Sequence, residues 1–488
     1  MIRRLLETKY IKASSLYVFI SVLPSALNFL LLPLYLRYIS VDEYGYLTLL
    51  NLYAMAFNVF ASLQVNIAAS TQYFYKGTDK LAYRSGILLI TILAASLTFL
   101  AFVLLAEKAF MLFKNDIDFY PLGAVVLTSM ALSQVQAIIF LFFKNEYRVR
   151  EIGIFSITST AISVLGQVLL ITYFDMGIAG IVYGRLIPKV VIVTLLLIVF
   201  SKWFFGKRLV LLFSRASLRY AWVALKFSVP FLPAALLQRA QTYSDRFVLE
   251  QHLSLDAIGQ YAVLVTLLTI PSLIVSAILS AFKPRIMDLL ESRSFDAIRL
   301  LEYFYLATAA VIFLFTLVLG SNLNLITDNT KYIEIRNYVY LGIFCAIPGS
   351  ILYYSHIKLM HAKKTSLISR YSFISFLVHI ILLVILIPHY GIPGALIAMG
   401  CASLLNCLLC QYGYKKAMRL PTHIKQYEPV GSLLVVLFLG LIARYYFGNI
   451  HLNSIVVLCV GIAIIMTSTY RKFPALADLL INERKPQN

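Results

Sequence analysis

The sequence predicts an all-α polytopic membrane protein with fourteen transmembrane helices, and three observations support that class. The 488 residues are 60% hydrophobic and 13% charged, whereas soluble domains are about 25% charged. Apolar runs of about 20 residues, long enough to cross a bilayer, recur along the chain. The loops between these runs are alternately rich in Lys and Arg or short and acidic, as on the two sides of a membrane.

The predicted spans follow the positions of the apolar runs. They cover about 14–36, 45–69, 86–106, 122–143, 152–174, 178–200, 227–249, 259–282, 303–321, 337–357, 367–387, 392–414, 430–447 and 453–470. Every even-numbered connection is basic and the odd-numbered ones are not, so the positive-inside rule predicts that both termini are cytoplasmic. The same rule accounts for the net charge of +20, and no nucleic-acid partner is expected.

An internal repeat divides the chain. Gly45 and Gly259 lie in similar segments, D-E-Y-G-Y and D-A-I-G-Q-Y, and are 214 residues apart. The G-I-x-G segments that begin at Gly177 and Gly391 have the same separation. The repeat predicts two six-helix lobes in parallel, a transporter architecture.

The predicted domains are as follows: an N-lobe at 1–200, a cytoplasmic amphipathic linker at 201–226, a C-lobe at 227–414, and spans 13 and 14 with the tail at 415–488. For the linker, an ordinary solvated segment is the alternative interpretation.

Polar side chains form a stripe in the second span and again in the eighth. The stripe residues are Asn51, Asn58, Ser62 and Asn66 in the second span and Ser272, Ser276 and Ser280 in the eighth. Spacings of four and seven residues place each set on one helix face, and the last three positions of the two sets are again 214 apart. Two interpretations stay open: hydrogen bonds between helices, and a hydrated cavity between the lobes.

Basic residues inside predicted spans are the more specific signal, because a charge there costs about 2.5–3.5 kcal/mol on insertion scales. Arg239 lies near the middle of the seventh span, and the closest acid on its helix, Asp245, is six residues away. Arg239 is therefore the leading candidate for an anion-binding group. Arg185 and Lys189 in the sixth span either bind an anion, pair, or reach the interface, and Arg246 either binds an anion or pairs with an acid such as Asp245.

Several classes of site are missing from the sequence. It has no G-x-x-x-x-G-K-[ST] segment for ATP, no H-E-x-x-H, and no Cys/His cluster with metal spacing. The five cysteines all lie in apolar segments, where free cysteine packs as a small hydrophobe. No loop is long enough for a folded catalytic domain, so we expect no enzyme activity, no metal and no cofactor.

The segment from Asn28 to Gly45, N-F-L-L-L-P-L-Y-L-R-Y-I-S-V-D-E-Y-G, resembles the start of bacterial polysaccharide exporters of the Wzx type. Pro230, the Asp245-Arg246 pair and G-x-Y at Gly259 are similar to the start of their second lobe. These proteins are O-antigen lipid-carrier flippases of the multidrug/oligosaccharidyl-lipid/polysaccharide exporter superfamily. The resemblance extends over nearly the whole chain.

The resemblance implies a MATE-like fold with a V-shaped cavity lined by spans 1, 2, 7 and 8. It also implies alternating access that moves an undecaprenyl-diphosphate-linked oligosaccharide across the bacterial inner membrane. The expected diphosphate contacts are Arg239, Arg246, Lys189 and Arg185. The expected cavity-lining residues are Asn28, Asn51, Asn58, Ser62, Asn66, Gln238, Thr242, Tyr243, Asp245, Ser272, Ser276 and Ser280. Expected partners are the bilayer, a polysaccharide polymerase and a chain-length regulator, with H⁺ or Na⁺ as the coupling ion.

The sequence is less consistent with three alternative functions. The first two spans have no arginine before Arg37, whereas the related lipid II flippases have several there, which argues against lipid II as substrate. A cation-coupled drug exporter needs an acid inside the membrane, and Asp245 is the one clear candidate. A membrane-embedded polysaccharide polymerase or ligase needs a large outward loop, and the longest here is about fifteen residues.

Overall fold

The computed structural model describes residues 31–74, 79–111, 118–146, 148–201, 214–291, 294–323, 327, 329–362, 364–418, 434–435, 456–467 and 470. Within these ranges the regular secondary structure is entirely helical, and nine helices are long and apolar enough to cross a membrane. The nine correspond to predicted spans 3–6 and 8–12. The predicted class, an all-α polytopic membrane protein, is confirmed.

The helices are numbered here in chain order. They are α1 (Leu32–Tyr38), α2 (Val41–Ser62), α3 (Val65–Thr71), α4 (Lys80–Phe110), α5 (Leu122–Asn145), α6 (Val149–Thr172), α7 (Gly177–Phe200), α8 (Arg215–Ser228), α9 (Leu232–His252), α10 (Leu255–Glu291), α11 (Phe295–Ser321), α12 (Thr330–Ile333), α13 (Arg336–His361), α14 (Thr365–Tyr390), α15 (Ile392–Met418) and α16 (Val456–Thr467). Most of predicted spans 1 and 13 lies outside the described residues, as does Asn28.

The second predicted span is interrupted. α2 begins with a capping box, in which the Ser40 amide donates to Glu43 Oε2 at 3.0 Å. It ends at Ser62 because Leu63 (φ 41°) and Gln64 (φ 54°) adopt the left-handed conformation, which stops the helical hydrogen-bond ladder. The prediction of one continuous helix over 45–69 is therefore wrong. Asn66 lies on α3, so it does not continue the α2 stripe.

The seventh and eighth predicted spans are both helical, but they differ in polarity. α9 follows a 3₁₀ turn at Val229–Phe231 and contains many polar residues, so it is not among the nine strongly apolar helices. α10 runs without a break from Leu255 to Glu291. The eighth-span stripe therefore keeps the single-helix arrangement that the second-span stripe loses.

The described part of the predicted linker contains α8, which Ser214 caps by accepting a hydrogen bond from the Ser217 amide at 3.1 Å. Small buried residues of this helix pack against α4: a Cβ atom on Gly86 would lie 2.3 Å from the Ser217 carbonyl oxygen. Trp222 on the opposite side is 65% exposed. α8 thus packs a face of small residues against the rest of the first unit, and its exposed side carries Trp222 together with basic residues.

The chain forms two compact units, Met1–Gly259 and Gln260–Asn488. The first contains two buried aromatic clusters, one around Tyr53, Phe57 and Phe119, and one around Tyr73 and Phe142. The core of the second is built around Tyr305 and Tyr354. These units do not test the predicted lobes at 1–200 and 227–414, whose boundaries stay a prediction.

Many large apolar side chains face outward in both units, such as Leu104 (71% exposed), Leu165 (61%) and Ile381 (57%). Such a surface is unfavourable in water and suits a helix that faces lipid. Together with the nine span-length helices, it makes this a multi-pass membrane protein.

Within the first unit, the start of α2 crosses the start of α10 at two glycines. A Cβ atom on Gly45 would lie 2.1 Å from the Leu255 carbonyl oxygen, and one on Gly259 would lie 2.0 Å from that of Val41. Val41 and Leu255 are 214 residues apart, as are the two glycines. Exchanging each residue for its equivalent 214 positions away turns the Gly45–Leu255 contact into the Gly259–Val41 contact. The structure therefore supports the sequence repeat independently.

Repeat-related helix pairs also carry ion pairs, with the charges reversed. In the first unit, Arg84 of α4 binds Glu146, which lies just after α5. In the second, Glu302 of α11 binds Lys358 of α13 at 2.6 Å. α4 and α11, and likewise α5 and α13, are equivalent helices under the 214-residue offset. Equivalent helix pairs are thus joined by ion pairs of opposite polarity, although the paired residues themselves are four and two positions from exact equivalence under the offset.

The two ion pairs have different surroundings. Burial raises the pKa of Glu146, but a hydrogen bond from Tyr73 and the charge of Arg84 outweigh it, and the pKa of this carboxyl is lowered overall. Glu302 is fully buried, and the Lys358 ammonium lies 4.9 Å from the centre of the Tyr354 ring. The second pair is thus enclosed by protein.

Glu302→Ala is expected to lower the thermal unfolding midpoint of the purified protein by several degrees. It leaves the Lys358 ammonium buried without its carboxylate, a change that typically costs about 3–5 kcal/mol. Asp296→Ala is the matched control, because Asp296 pairs with Arg299 on the same helix while its side chain is 99% exposed. Equal midpoints for the two variants would contradict the structural role of the buried pair.

Candidate functional site

Two cavities in the first unit contain three of the four basic residues singled out by the sequence. The first, here called the Arg239 cavity, has a volume of about 420 Å³ and lies between α2, the end of α4, and α9. Its lining residues are Leu52, Tyr53, Met55, Ala56, Val59, Ala109, Leu236, Arg239, Ala240, Tyr243, Ser244 and Phe247. The lining is almost wholly apolar apart from four side chains with polar groups, three on α9 and one on α2.

The polar side chains of this lining are Arg239, Tyr243 and Ser244 on α9 and Tyr53 on α2, whose hydroxyl already donates to the Phe102 carbonyl oxygen at 2.7 Å. In the part of the chain that the structure describes, Arg239 has neither an ion pair nor a hydrogen bond to another side chain. The Ser244 hydroxyl is buried and has no hydrogen-bond partner there either. The cavity therefore places the Arg239 side chain beside an apolar wall, which suits a ligand with an anionic group beside an apolar chain.

Asp245 and Arg246 bind each other. The Arg246 Nη1 atom donates to Asp245 Oδ1 at 3.1 Å and Oδ2 at 3.5 Å, and the guanidinium lies 5.2 Å from the centre of the Tyr243 ring. Asp245 is 6% exposed. Adjacent residues on a helix usually diverge, but here the arginine side chain folds back, so the structural ion pair is the alternative that the geometry favours. A diphosphate contact by Arg246 stays a prediction.

The second cavity, here called the polar cavity, has a volume of about 520 Å³ and lies between α5, α6 and α7. Its lining residues are Ser129, Met130, Ser133, Gln136, Ser156, Ser159, Thr160, Ser163, Arg185, Pro188 and Lys189. It shares no lining residue with the Arg239 cavity. Its chemistry is the opposite, since hydroxyls and an amide replace the apolar wall.

A buried glutamine orients the arginine of the polar cavity. Arg185 Nε donates to Gln167 Oε1 at 3.3 Å, which also accepts from the Tyr35 hydroxyl. Gln167 Nε2 donates to Ser163 at 3.0 and 3.1 Å. A Cβ atom on Gly184 would lie 2.6 Å from Gln167 Cγ, so this glycine lets α6 and α7 approach closely enough for the network to form.

The structure thus separates the four cations that were expected to contact diphosphate. Arg185 and Lys189 share the polar cavity, Arg239 lies with Tyr243 in the other, and Arg246 is paired. The stripe residues Asn51, Asn58, Ser62 and Asn66 are not among the residues lining either cavity, nor are Ser272 and Ser276, all on partly exposed helix faces. The side chains of Gln238, Thr242 and Ser280 lie outside the described residues.

The hydroxyl and amide groups of the polar cavity are not among the site residues predicted from the sequence. On α5 they are Ser129, Ser133 and Gln136, and on α6 they are Ser156, Ser159, Thr160, Ser163 and Gln167. Their spacings of three and four residues form a helix stripe of the kind identified in the second and eighth spans. The signal was therefore present in the sequence.

Comparisons with known proteins agree with this fold. The profile of a family described as "Polysaccharide biosynthesis protein" matches residues 11–290, more than half of the chain and all of both cavities. No curated protein sequence matches.

Three solved structures illustrate the structural similarity. "Lipid II flippase MurJ, inward closed conformation" matches with a TM-score of 0.70 at 14% identity, covering 93% of this chain and 98% of that one. An inward-facing multidrug resistance MATE family transporter of the MOP superfamily matches with 0.60 at 10% identity, covering 83% and 100%. The Vibrio cholerae MATE transporter VcmN in its bent form matches with 0.54 at 13% identity, covering 84% and 98%.

At these identities the structural similarity establishes the fold alone, which is that of the MurJ and MATE proteins. The match of the family profile goes further, since it extends over most of the helices that form the first unit. The chain is a multi-pass membrane protein that belongs to the polysaccharide biosynthesis protein family.

Proposed function

We propose that the protein flips undecaprenyl-diphosphate-linked oligosaccharide repeat units across the bacterial inner membrane by alternating access, for O-antigen or another surface polysaccharide. Family membership supports a role in polysaccharide biosynthesis. The observation that carries the proposal is Arg239, a cation without an acidic partner among the described residues, set in an apolar cavity. On this proposal both termini are cytoplasmic, and the protein transports its substrate without chemical change.

The Arg239 cavity matches the parts of such a substrate. A guanidinium binds phosphate oxygens through two parallel hydrogen bonds, and its desolvation cost inside a membrane is offset when an anion is bound. The apolar wall formed by residues such as Leu52, Met55 and Leu236 is suited to the first part of a polyprenyl chain. The rest of the lipid remains in the bilayer, and the sugars extend beyond the cavity to polar side chains of α2 that do not line it, such as Asn51 and Asn58.

The other candidates have less support. A cation-coupled drug exporter needs a carboxylate that is able to take up its ion, and Asp245 is already bound to Arg246. MurJ is named as a lipid II flippase, which supports a lipid-linked substrate for this fold. Lipid II itself is disfavoured because the first two predicted spans contain no arginine before Arg37.

Reconstitution tests the proposal. The full-length protein is placed in liposomes with a fluorescent undecaprenyl-diphosphate oligosaccharide, and a membrane-impermeant reductant then bleaches the label in the outer leaflet. Protein-free liposomes should lose about half of the fluorescence, whereas protein-containing ones should lose nearly all, because flipping exposes the inner pool.

Two controls make this assay specific. The same oligosaccharide on a neutral lipid without phosphate should not be flipped, and imposed H⁺ or Na⁺ gradients identify the coupling ion by their effect on the rate. Gradient-driven efflux of cationic dyes with no movement of the diphosphate lipid would instead establish the drug-exporter alternative. On our proposal, a polymerase and a chain-length regulator act on the flipped product.

A further inference from the structure

The polar cavity contains two positive charges and no negative one. Arg185 and Lys189 are four residues apart on α7, which places their side chains next to each other on one helix face. Like charges in this arrangement repel and destabilise a helix. None of the carboxylates in the described part of the chain pairs with either residue or lines the cavity. The charges are therefore left for a ligand to neutralise.

The hydrogen-bonding groups of the cavity are mainly donors. Arg185 uses its Nε atom on Gln167, which leaves both terminal nitrogens without a partner within the described ranges. Lys189 donates once, to Gln136 Oε1 at 2.8 Å, so two ammonium protons and the Gln136 amide protons remain. The hydroxyls of Ser156 and Ser159 also have no side-chain or backbone partner among the residues described. These donors converge on one space from three helices.

We infer that the polar cavity is a second anion-binding site, separate from the Arg239 cavity, and that it takes a phosphate-type oxyanion. A phosphate or diphosphate has enough acceptor oxygens to use a guanidinium, an ammonium, an amide and two hydroxyls together. A halide is a single small acceptor and leaves most of a 520 Å³ cavity and most of the donors unused. The two cavities share no residue, so the sites are chemically and spatially independent.

Two sources provide this chemistry, free inorganic phosphate or diphosphate and the phosphate headgroup of an anionic lipid. The inference concerns the oxyanion itself, and it does not depend on the proposed transport activity. It is therefore tested by ligand binding to the full-length protein without any transport readout, so that its failure and that of the flippase proposal are distinguishable.

The experiment titrates the purified protein in neutral detergent with sodium diphosphate and follows the thermal unfolding midpoint and the binding heat. We expect the wild-type protein to be stabilised by diphosphate more than by sodium chloride of equal ionic strength. Lys189→Gln should weaken diphosphate binding about tenfold or more, as expected for the loss of a charged hydrogen bond. Arg219→Gln on α8 is the matched control: this arginine is exposed and lines neither cavity, so the variant should bind diphosphate as the wild type does.

Ser156→Ala covers the case in which Lys189→Gln does not fold, because it removes one donor and leaves both cations in place. It should weaken binding severalfold. Wild-type affinity in both variants, or equal weakening of binding in Arg219→Gln, would overturn the inference. So would equal stabilisation by chloride, since that is halide or general salt binding.

A second arm distinguishes the sources with nanodiscs of phosphatidylcholine with or without phosphatidic acid. Stabilisation by phosphatidic acid that Lys189→Gln removes assigns the site to a lipid headgroup. Stabilisation by diphosphate alone assigns it to a soluble anion. If neither diphosphate nor phosphatidic acid stabilises the wild-type protein, the site does not bind an oxyanion.

Discussion

Arg239→Ala is expected to abolish flipping of the diphosphate-linked oligosaccharide, and with it surface polysaccharide in cells, while the protein still inserts in the membrane. The substitution removes the cation of the Arg239 cavity and leaves only the hydroxyls of Tyr53, Tyr243 and Ser244 as polar side-chain groups in its lining. A hydrogen bond to a charged group contributes about 1.5–3 kcal/mol, so a bidentate contact accounts for at least a tenfold to hundredfold loss. The measurement is the bleaching assay together with the amount of surface polysaccharide.

Two further variants show whether the loss of activity is specific to the Arg239 guanidinium. Arg239→Lys keeps the charge but loses the planar pair of donors, and we expect partial activity. Arg219→Ala on α8 is the matched control, because this arginine is exposed and lines neither cavity. Normal polysaccharide from Arg239→Ala at a normal protein level would show that Arg239 does not bind the substrate.

Gly259→Ala is expected to cause a large loss of stability through the crossing of α2 and α10. The added Cβ atom would lie 2.0 Å from the Val41 carbonyl oxygen, and a helix backbone, unlike a flexible side chain, has no rotamer that moves away. The helices must separate, and overpacking of this kind costs about 1–3 kcal/mol or more. Thermal unfolding of the purified protein measures the effect.

Gly349→Ala is the control for the glycine prediction. Gly349 lies inside α13, and a Cβ atom there would meet nothing within 4 Å, so the better helix propensity of alanine should leave stability unchanged or slightly raised. Gly45→Ala should behave like Gly259→Ala, because the repeat relates the two contacts. If Gly259→Ala and Gly349→Ala unfold at the same temperature, the close crossing does not contribute to stability.

Hydropathy was sufficient to place most of the helices. The predicted spans 3–6 and 8–12 all contain a long apolar helix, because burial in lipid leaves few ways to satisfy a backbone other than a helix. The break after Ser62 was not predictable in this way, since Leu63 and Gln64 are ordinary helix-forming residues. Their left-handed conformation is set by the tertiary structure, and no glycine or proline signals it.

The candidate site was predictable only in part. A cation without a nearby acid identified Arg239, since an isolated charge in an apolar run is costly and easily recognised. The polar cavity was harder, because each of its serines is individually common in a membrane helix and the three stripes become one site only when α5, α6 and α7 pack together. The pairing of Arg246 with Asp245 depends on the arginine rotamer, which sequence spacing does not determine.

The absence of an acidic partner for Arg239 within the described residues has an electrical consequence. A charge that moves through the full membrane potential gains or loses about 2.3 kcal/mol per 100 mV. A carrier that returns empty takes a positive arginine through part of this field, whereas one that holds a diphosphate has its positive charge cancelled or reversed. On our proposal, where the diphosphate reverses the charge, a resting potential that is negative inside favours both the outward step of the loaded carrier and the return of the empty one, and so favours one direction of the cycle even without a coupling ion.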